Sequence, residues 1–286
     1  MVHPYSGGFG VSLGQAKWRE VLFALWEVVF GPPYSYGYPV RRIPQWLMEY
    51  LGITDDRLYL AVAQSSDDVV LEDRQQVAAR FVEGRVCESC NNGWMSSLET
   101  EAMGILKPLI DGSRPLLSIS EAERTTVAKW ATKTGYVISH AAPLRKTPES
   151  SQMRYMKEHA GAVPRRVEVF GQQSVPKADF QQIQRNHWYH LTNTAPIRTN
   201  PPEGTYKIAF QFRCLMLLVA HWSDPRSVLM IAASIHIPLW PVRQVNIAYH
   251  AQHPPLNMKN AMAPLDRFCS SLAVCDDDDA LRNKQP

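Results

Sequence analysis

The sequence lacks the features that mark several large classes of protein. Its five cysteines are odd in number and unevenly spread, whereas a secreted disulfide scaffold is richer in paired cysteines. The apolar stretch at residues 214–237 is interrupted by Asp224 and Arg226, so it falls short of the roughly 20 apolar residues of a membrane span. The start shows no basic region followed by an apolar core and a cleavage site. We therefore expect a cytoplasmic protein with no membrane partner.

Charge of one sign is also scarce. The chain has 30 Lys and Arg against 27 Asp and Glu, a net charge of +3. This balance neither requires nor excludes a nucleic-acid partner. Hydrophobic residues make up 45% of the 286 residues, which is enough for a core, and the length suits one large or two modest domains.

Hydrophobic spacing predicts helices in the first half of the chain. Residues 43–52 have the pattern of a short helix that ends at a glycine. Two later helices begin with Ser-x-x-Glu, the spacing of a capping box, in which each side chain bonds an unpaired backbone N–H. One box is Ser96 with Glu99, and the other starts at Ser118 or Ser120.

After residue 143 the chain becomes rich in β-branched and aromatic residues, which favour strands. The predicted strands are residues 167–170, 187–191, 206–220, 228–237 and 245–249. The change from helical to strand-like patterns predicts an α+β protein with a mainly β second part.

Cys87 and Cys90 have the spacing of half a zinc site. Two thiolates separated by two residues grip one zinc from a tight turn, but a tetrahedral site needs two more ligands. Cys214, Cys269 and Cys275 are isolated in the sequence. On spacing alone, a zinc knuckle and a turn with two unmetallated thiols are equally favoured. We expect structural zinc to bind weakly or not at all.

The residues around this pair are more specific. Residues 87–99, CESCNNGWMSSLE, resemble a run in a group of bacterial HNH-endonuclease-like proteins of the ββα-metal type. Three further segments are similar to segments of that group, in the same order: Ile43–Leu47, Ala128–Thr134 and Ile237–Pro241. Chance motif matches would not keep this order. The resemblance implies a ββα element, and metal-dependent phosphodiester hydrolysis of DNA as the activity.

The site implied by the resemblance contains a histidine that acts as general base on water. It also contains a divalent metal, Mg²⁺ or Mn²⁺, that stabilises charge on the phosphate. This chain has Arg41-Arg42 where the family has a Glu-His or Asp-His pair, and Val28–Gly31 where the first cysteine pair is expected. Because arginine stays protonated, Arg42 cannot replace the base. The catalytic histidine and half of the zinc knuckle are thus missing from the expected pattern.

The candidate metal ligands are Cys87, Cys90 and Asn91, since Asn91 stands where many HNH proteins place a ligating histidine. An equally favoured reading of Asn91 is a turn formed by the Asn-Gly pair that follows it. Arg41 and Arg42 are the candidate nucleic-acid-binding residues, because guanidinium groups hold phosphate without cleaving it.

Two functions agree with these residues. The first is an HNH-type nuclease whose hydrolysis of DNA is impaired, and the second is a non-catalytic module that binds nucleic acid or a protein on a decayed HNH scaffold. A shifted reading frame over residues 1–42 would also explain the departures. The predicted organisation is a divergent segment 1–42, an HNH-like ββα element with helices at 43–142, a mainly β domain at 143–274 and a disordered tail at 275–286.

Overall fold

The computed structural model describes residues 38–41, 43–53, 62–66, 69–74, 82–86, 88–141, 148–174, 179–185, 188–191, 196–231, 236–241 and 263–276. Helices and sheets are both present in these ranges, so the α+β class is confirmed. None of the helices described there is long and apolar enough to cross a membrane. The predicted strand at 245–249 and the candidate residues Arg42 and Cys87 lie outside these ranges.

Short strands and then long helices make up the first half of the chain. In order they are β1 (Tyr38–Arg41), α1 (Gln45–Leu51), β2 (Val62–Ser66), β3 (Val69–Arg74), β4 (Val82–Val86), a helical turn (Glu88–Cys90), a π-helical segment (Asn91–Met95), α2 (Ser96–Ile110), a 3-10 turn (Leu116–Ser118) and α3 (Glu121–Ala141). The predicted helix at 43–52 is confirmed as α1, which ends at Gly52 in the left-handed conformation, with φ 68°.

Strands dominate the second half, as predicted. The elements are α4 (Ser150–Glu158), β5 (Val167–Gln173), β6 (Phe180–Arg185), β7 (Trp188–Leu191), β8 (Pro196–Thr199), β9 (Tyr206–Phe212), β10 (Leu215–His221), β11 (Ser227–Ile231), β12 (Ile237–Trp240), α5 (Ala263–Ser270) and β13 (Leu272–Asp276). The run 206–220, predicted as one strand, is two strands that fold back at Arg213 and Cys214. Arg213 has a positive φ of 44°, which allows the tight turn.

The strands of the described part form three sheets. A seven-stranded sheet has the order β12-β5-β10-β9-β6-β2-β3, a four-stranded sheet the order β11-β13-β7-β8, and β1 pairs with β4 alone. Strands β2 and β3, from the part expected to contain the HNH-like element, extend the sheet of the later part because β2 runs parallel to β6. Elements from both parts of the predicted organisation therefore share one sheet.

The central strands β9 and β10 of the seven-stranded sheet are buried on both faces. Successive side chains of a strand point to opposite sides, so Phe210 and Leu217 join a core with α2 and α3, whereas Ala209 and Leu218 join a core with α5. Trp130 of α3 is fully buried, and its ring centroid lies 6.4 Å from that of Phe210. The helix that carries Trp130 is thus held firmly against the sheet.

Two local predictions need correction. Cys275 and Asp276, expected at the start of a disordered tail, lie in β13, where Cys275 is buried and pairs with Val228. Backbone pairing with β11 extends β13 as far as Asp276, past the apolar residues at its start. The capping box expected at Ser96 is also absent, since Met95 already has helical dihedrals and the N–H of Ser96 donates to the carbonyl of Gly93.

Candidate functional site

The Glu99 carboxylate joins three helices. Its Oε2 accepts hydrogen bonds from the indole Nε1 of Trp46 in α1, over 2.7 Å, and of Trp130 in α3, over 2.8 Å. Its Oε1 accepts a hydrogen bond from the Lys133 amine, also in α3. We call these four residues the Glu99 cluster. Each of the three helices supplies part of a segment that carries the family resemblance.

Helical spacing brings the donors together. Trp130 and Lys133 are three residues apart on α3, so their side chains lie on one face. The rings of Trp46 and Trp130 pack with centroids 6.4 Å apart, and the Lys133 amine lies 5.9 Å from the Trp130 ring. Since both indole N–H groups aim at the same oxygen, the carboxylate fixes how α1 sits against α3.

The ion pair in this cluster is largely withdrawn from solvent. The side chains of Lys133 and Glu99 are 9% and 18% exposed. Burial lowers the pKa of Lys133 to about 7, because the ammonium loses hydration. The Glu99 carboxylate in contact with it favours the charged form and opposes that shift. A buried pair is tolerated when its remaining hydrogen-bonding positions are filled, and the two indoles fill them here.

A groove of about 560 Å³ opens beside the Glu99 cluster. Its lining consists of apolar, amide and hydroxyl side chains around the ion pair: Pro44, Gln45, Trp46, Asn91, Asn92, Met95, Ser96, Glu99, Thr100, Met103 and Lys133. The charges of this lining are one carboxylate and one amine, which bond each other. With Lys133 protonated, as its contact with the Glu99 carboxylate favours, the groove wall carries no net charge.

Asn91 and Asn92 enter the groove wall from the π-helical segment. Neither residue has a positive φ, so the Asn-Gly pair does not use the left-handed turn that its sequence favours. Gly93 instead leaves the helical region, with φ −94° and ψ −117°. The Asn91 Nδ2 donates to the Asn92 Oδ1 over 3.4 Å. The kink at Gly93 thus places both amides at the groove.

Trp94 of the same motif does not join the Glu99 cluster. It is half-buried against the main core and packs on Gly161. Gly161 has φ 82°, and a Cβ there would lie 2.8 Å from the Trp94 ring. Trp94 therefore has a packing role that requires glycine at position 161.

The described residues include two of the three candidate metal ligands. Cys90 is buried and disulfide-bonded, Asn91 lines the groove, and Cys87 lies outside the described ranges. No group of three His, Cys, Asp or Glu within those ranges is placed to hold a metal ion. Glu99, the carboxylate of the described groove wall, is already bonded by three donors, one of them cationic. The described residues of the groove wall therefore do not fit a divalent cation.

The candidate phosphate-binding residues are only partly described. The backbone of Arg41 lies in β1 opposite Val82, and Arg42 is outside the described ranges. The histidines whose side chains are described, His159, His221 and His236, are absent from the groove wall. Burial lowers the pKa of His221. Its Nδ1 bonds the backbone carbonyl of Gly204, just before β9, and not a residue of the groove wall.

Sequence reasoning missed the Glu99 cluster because it assigned Glu99 to a capping box. A usable signal was present, since Trp46, Glu99, Trp130 and Lys133 all fall inside segments that carry the resemblance. Comparisons with known proteins add no relative: no family model, curated protein or solved structure matches the chain.

Proposed function

We propose that the chain is an HNH-type protein that binds nucleic acid, with DNA the favoured partner, and hydrolyses it very slowly or not at all. The observation that carries the proposal is the convergence of three resembling segments on one carboxylate. A sequence resemblance in separate segments gains weight when the segments meet at a groove, because grooves with converging polar groups are where ligands bind.

The order of the neighbouring elements also supports the proposal. Strands β1 and β4 pair antiparallel, with Tyr38 opposite Val86. The helical turn Glu88–Cys90 and the π-helical segment follow directly in the chain. Two antiparallel strands followed by a helix are the arrangement that the resemblance implies for an HNH protein, and here α1, β2 and β3 separate the two strands in the chain.

Impaired hydrolysis is proposed because the chain has no histidine where the resembled proteins have their general base. General-base assistance contributes typically about 10²- to 10⁴-fold to a rate. Arg42 stands at the expected position and cannot accept a proton at neutral pH. No histidine whose side chain is described lines the groove. Guanidinium groups at Arg41 and Arg42 would instead hold the phosphate backbone.

Binding is tested by fluorescence anisotropy with labelled DNA at increasing salt. We expect affinity to fall as salt rises, since phosphate contacts release counterions. The double variant Arg41→Glu with Arg42→Glu should bind more weakly and show a smaller salt dependence. The matched control is Arg154→Glu with Arg165→Glu, two exposed arginines, which should bind as the unchanged chain does. Equal loss in both variants would contradict a specific role for Arg41 and Arg42.

Hydrolysis is tested by plasmid nicking in the presence of Mg²⁺ or Mn²⁺. We expect little or no nicking by either the unchanged chain or Asn91→Ala. Robust metal-dependent nicking that Asn91→Ala abolishes would show a working nuclease with a base from elsewhere in the chain, and would overturn the proposed impairment.

A further inference from the structure

We infer that the groove receives an unpaired nucleobase, so that the chain binds single-stranded nucleic acid in preference to duplex. This inference rests on the proposed function and narrows its substrate class. The groove volume of about 560 Å³ lies within the range of small-molecule sites, about 300–1,000 Å³. A paired base is stacked inside the duplex and enters such a pocket only after it is flipped out. A base that is already unpaired avoids that cost.

The charge of the wall favours a base over a phosphate. Lys133 is the cation of the described lining, and the Glu99 carboxylate already neutralises it. A phosphate in the groove would have to compete with that carboxylate, whereas a neutral base would not. Arg41 and Arg42 come immediately before Ile43 in the sequence, and Pro44 lines the groove. From this order in the sequence, we expect the segment that precedes the groove lining to hold the backbone phosphates of a bound strand.

Trp46 offers the stacking surface that an unpaired base requires. Its ring is half-buried, lines the groove, and packs on one side against Trp130. The hydrogen bond from its Nε1 to Glu99 holds the ring in one orientation. Aromatic rings stack any of the bases, because every base has a π-face. A ring held in advance loses little freedom when a base stacks on it.

The amides of the wall match the edges of a base. An asparagine side chain presents one acceptor and two donors, and amide groups pair with base edges through such donor and acceptor sets. Asn91 and Asn92 bond each other through a single long contact. Within the described residues, the Asn91 Oδ1 and the Asn92 Nδ2 take no other hydrogen bond. Both groups remain for a base at the groove.

The test compares three labelled probes of one mixed sequence by anisotropy: single-stranded DNA, single-stranded RNA and the DNA duplex. We expect each single strand to bind at least about tenfold more tightly than the duplex, since only an unpaired base can stack. Binding of the single strands should also quench tryptophan fluorescence. Equal affinity for single strands and duplex would overturn the inference and leave the proposed function standing. Failure of every probe to bind would overturn the proposed function itself.

The placement of the base is tested by Asn92→Ala. Asn92 is exposed, so the variant should fold, and circular dichroism checks that it does. We expect single-strand affinity to fall at least about fivefold, as for the loss of a base-edge contact, while duplex affinity stays constant. The matched control is Asn200→Ala, an exposed asparagine outside the groove wall, which should bind as the unchanged chain does. Unchanged single-strand affinity in Asn92→Ala would overturn the placement.

Discussion

Two segments of the molecule share the pattern Ser-x-x-Glu at the start of a long helix. At α3 the N–H of Ser120 donates to the Glu123 carboxylate over 2.8 Å, and the N–H of Glu123 donates to the Ser120 Oγ over 3.3 Å. This is the reciprocal capping box expected from the sequence. At α2 the Glu99 side chain turns away from Ser96 and bonds two indoles and an amine. The Ser-x-x-Glu pattern thus caps its own helix at α3, whereas at α2 its glutamate bonds side chains of other helices.

The difference follows from how the chain enters each helix. Ile119, just before Ser120, is extended with ψ 141°, so the first N–H groups of α3 have no preceding turn to bond. Met95, just before Ser96, is already helical. Its π-helical segment supplies a carbonyl to the Ser96 N–H. Because the start of α2 needs no side-chain cap, the carboxylate of Glu99 is able to bond other residues.

The largest expected effect is that of Glu99→Ala. It leaves a buried amine and two indole N–H groups without their acceptor, and breaking a buried pair in this way costs about 3–5 kcal/mol. We expect that loss in the free energy of unfolding measured with urea. The control is Glu121→Ala at the exposed start of α3, which should change stability by less than about 0.5 kcal/mol. Equal losses in both variants would remove the distinction between the cluster and the helix surface.

Lys133→Met should destabilise less than Glu99→Ala. The Glu99 carboxylate keeps both indole donors and some exposure to water, so the loss is about 2 kcal/mol, that of a hydrogen bond to a charged group. The control is Lys129→Met, one turn earlier on α3, because the described ion pair of Glu99 is with Lys133 and not with Lys129. A larger loss for Lys133→Met than for Glu99→Ala would contradict the central place of the carboxylate.

The two serines test the comparison directly. Ser120→Ala removes a cap and should lower the free energy of unfolding by about 1 kcal/mol. Ser96→Ala removes no cap, and should stay within about 0.5 kcal/mol of the unchanged chain, as exposed substitutions do. Urea unfolding of the two variants side by side measures both. A loss at Ser96 as large as that at Ser120 would show that α2 also depends on its serine.

The smallest effect concerns pH. The Arg114 guanidinium and the Ser120 N–H lower the pKa of Glu123 from 4.5 to about 2. A carboxylate with a lowered folded-state pKa adds stability above its unfolded value, and that stability is lost as pH falls toward the folded value. Glu123→Gln should therefore be less stable than the unchanged chain above pH 4.5, with the gap closing toward pH 2. A gap that is constant with pH in urea titrations would contradict this assignment.

The main elements were predictable because their causes are local. The stop of α1 at Gly52 follows from a residue that adopts φ 68° freely, as expected for a helix terminus. The strands after residue 143 follow from β-branched and aromatic composition. The strand boundaries were less predictable, since the run 206–220 is mostly apolar and has no glycine or proline to mark its turn at Arg213 and Cys214.

The sequence by itself determined the residue types of the Glu99 cluster and their helical spacing, such as Trp130 and Lys133 on one face of α3. Only the tertiary structure decided that Glu99 meets them. Its partners are 53, 31 and 34 residues away along the chain. The Ser-x-x-Glu pattern at α2 carries no information about whether the preceding turn is helical. Glu99 bonds these donors because the packing of the helices on the sheet brings them within hydrogen-bonding distance. A local sequence pattern does not encode that packing.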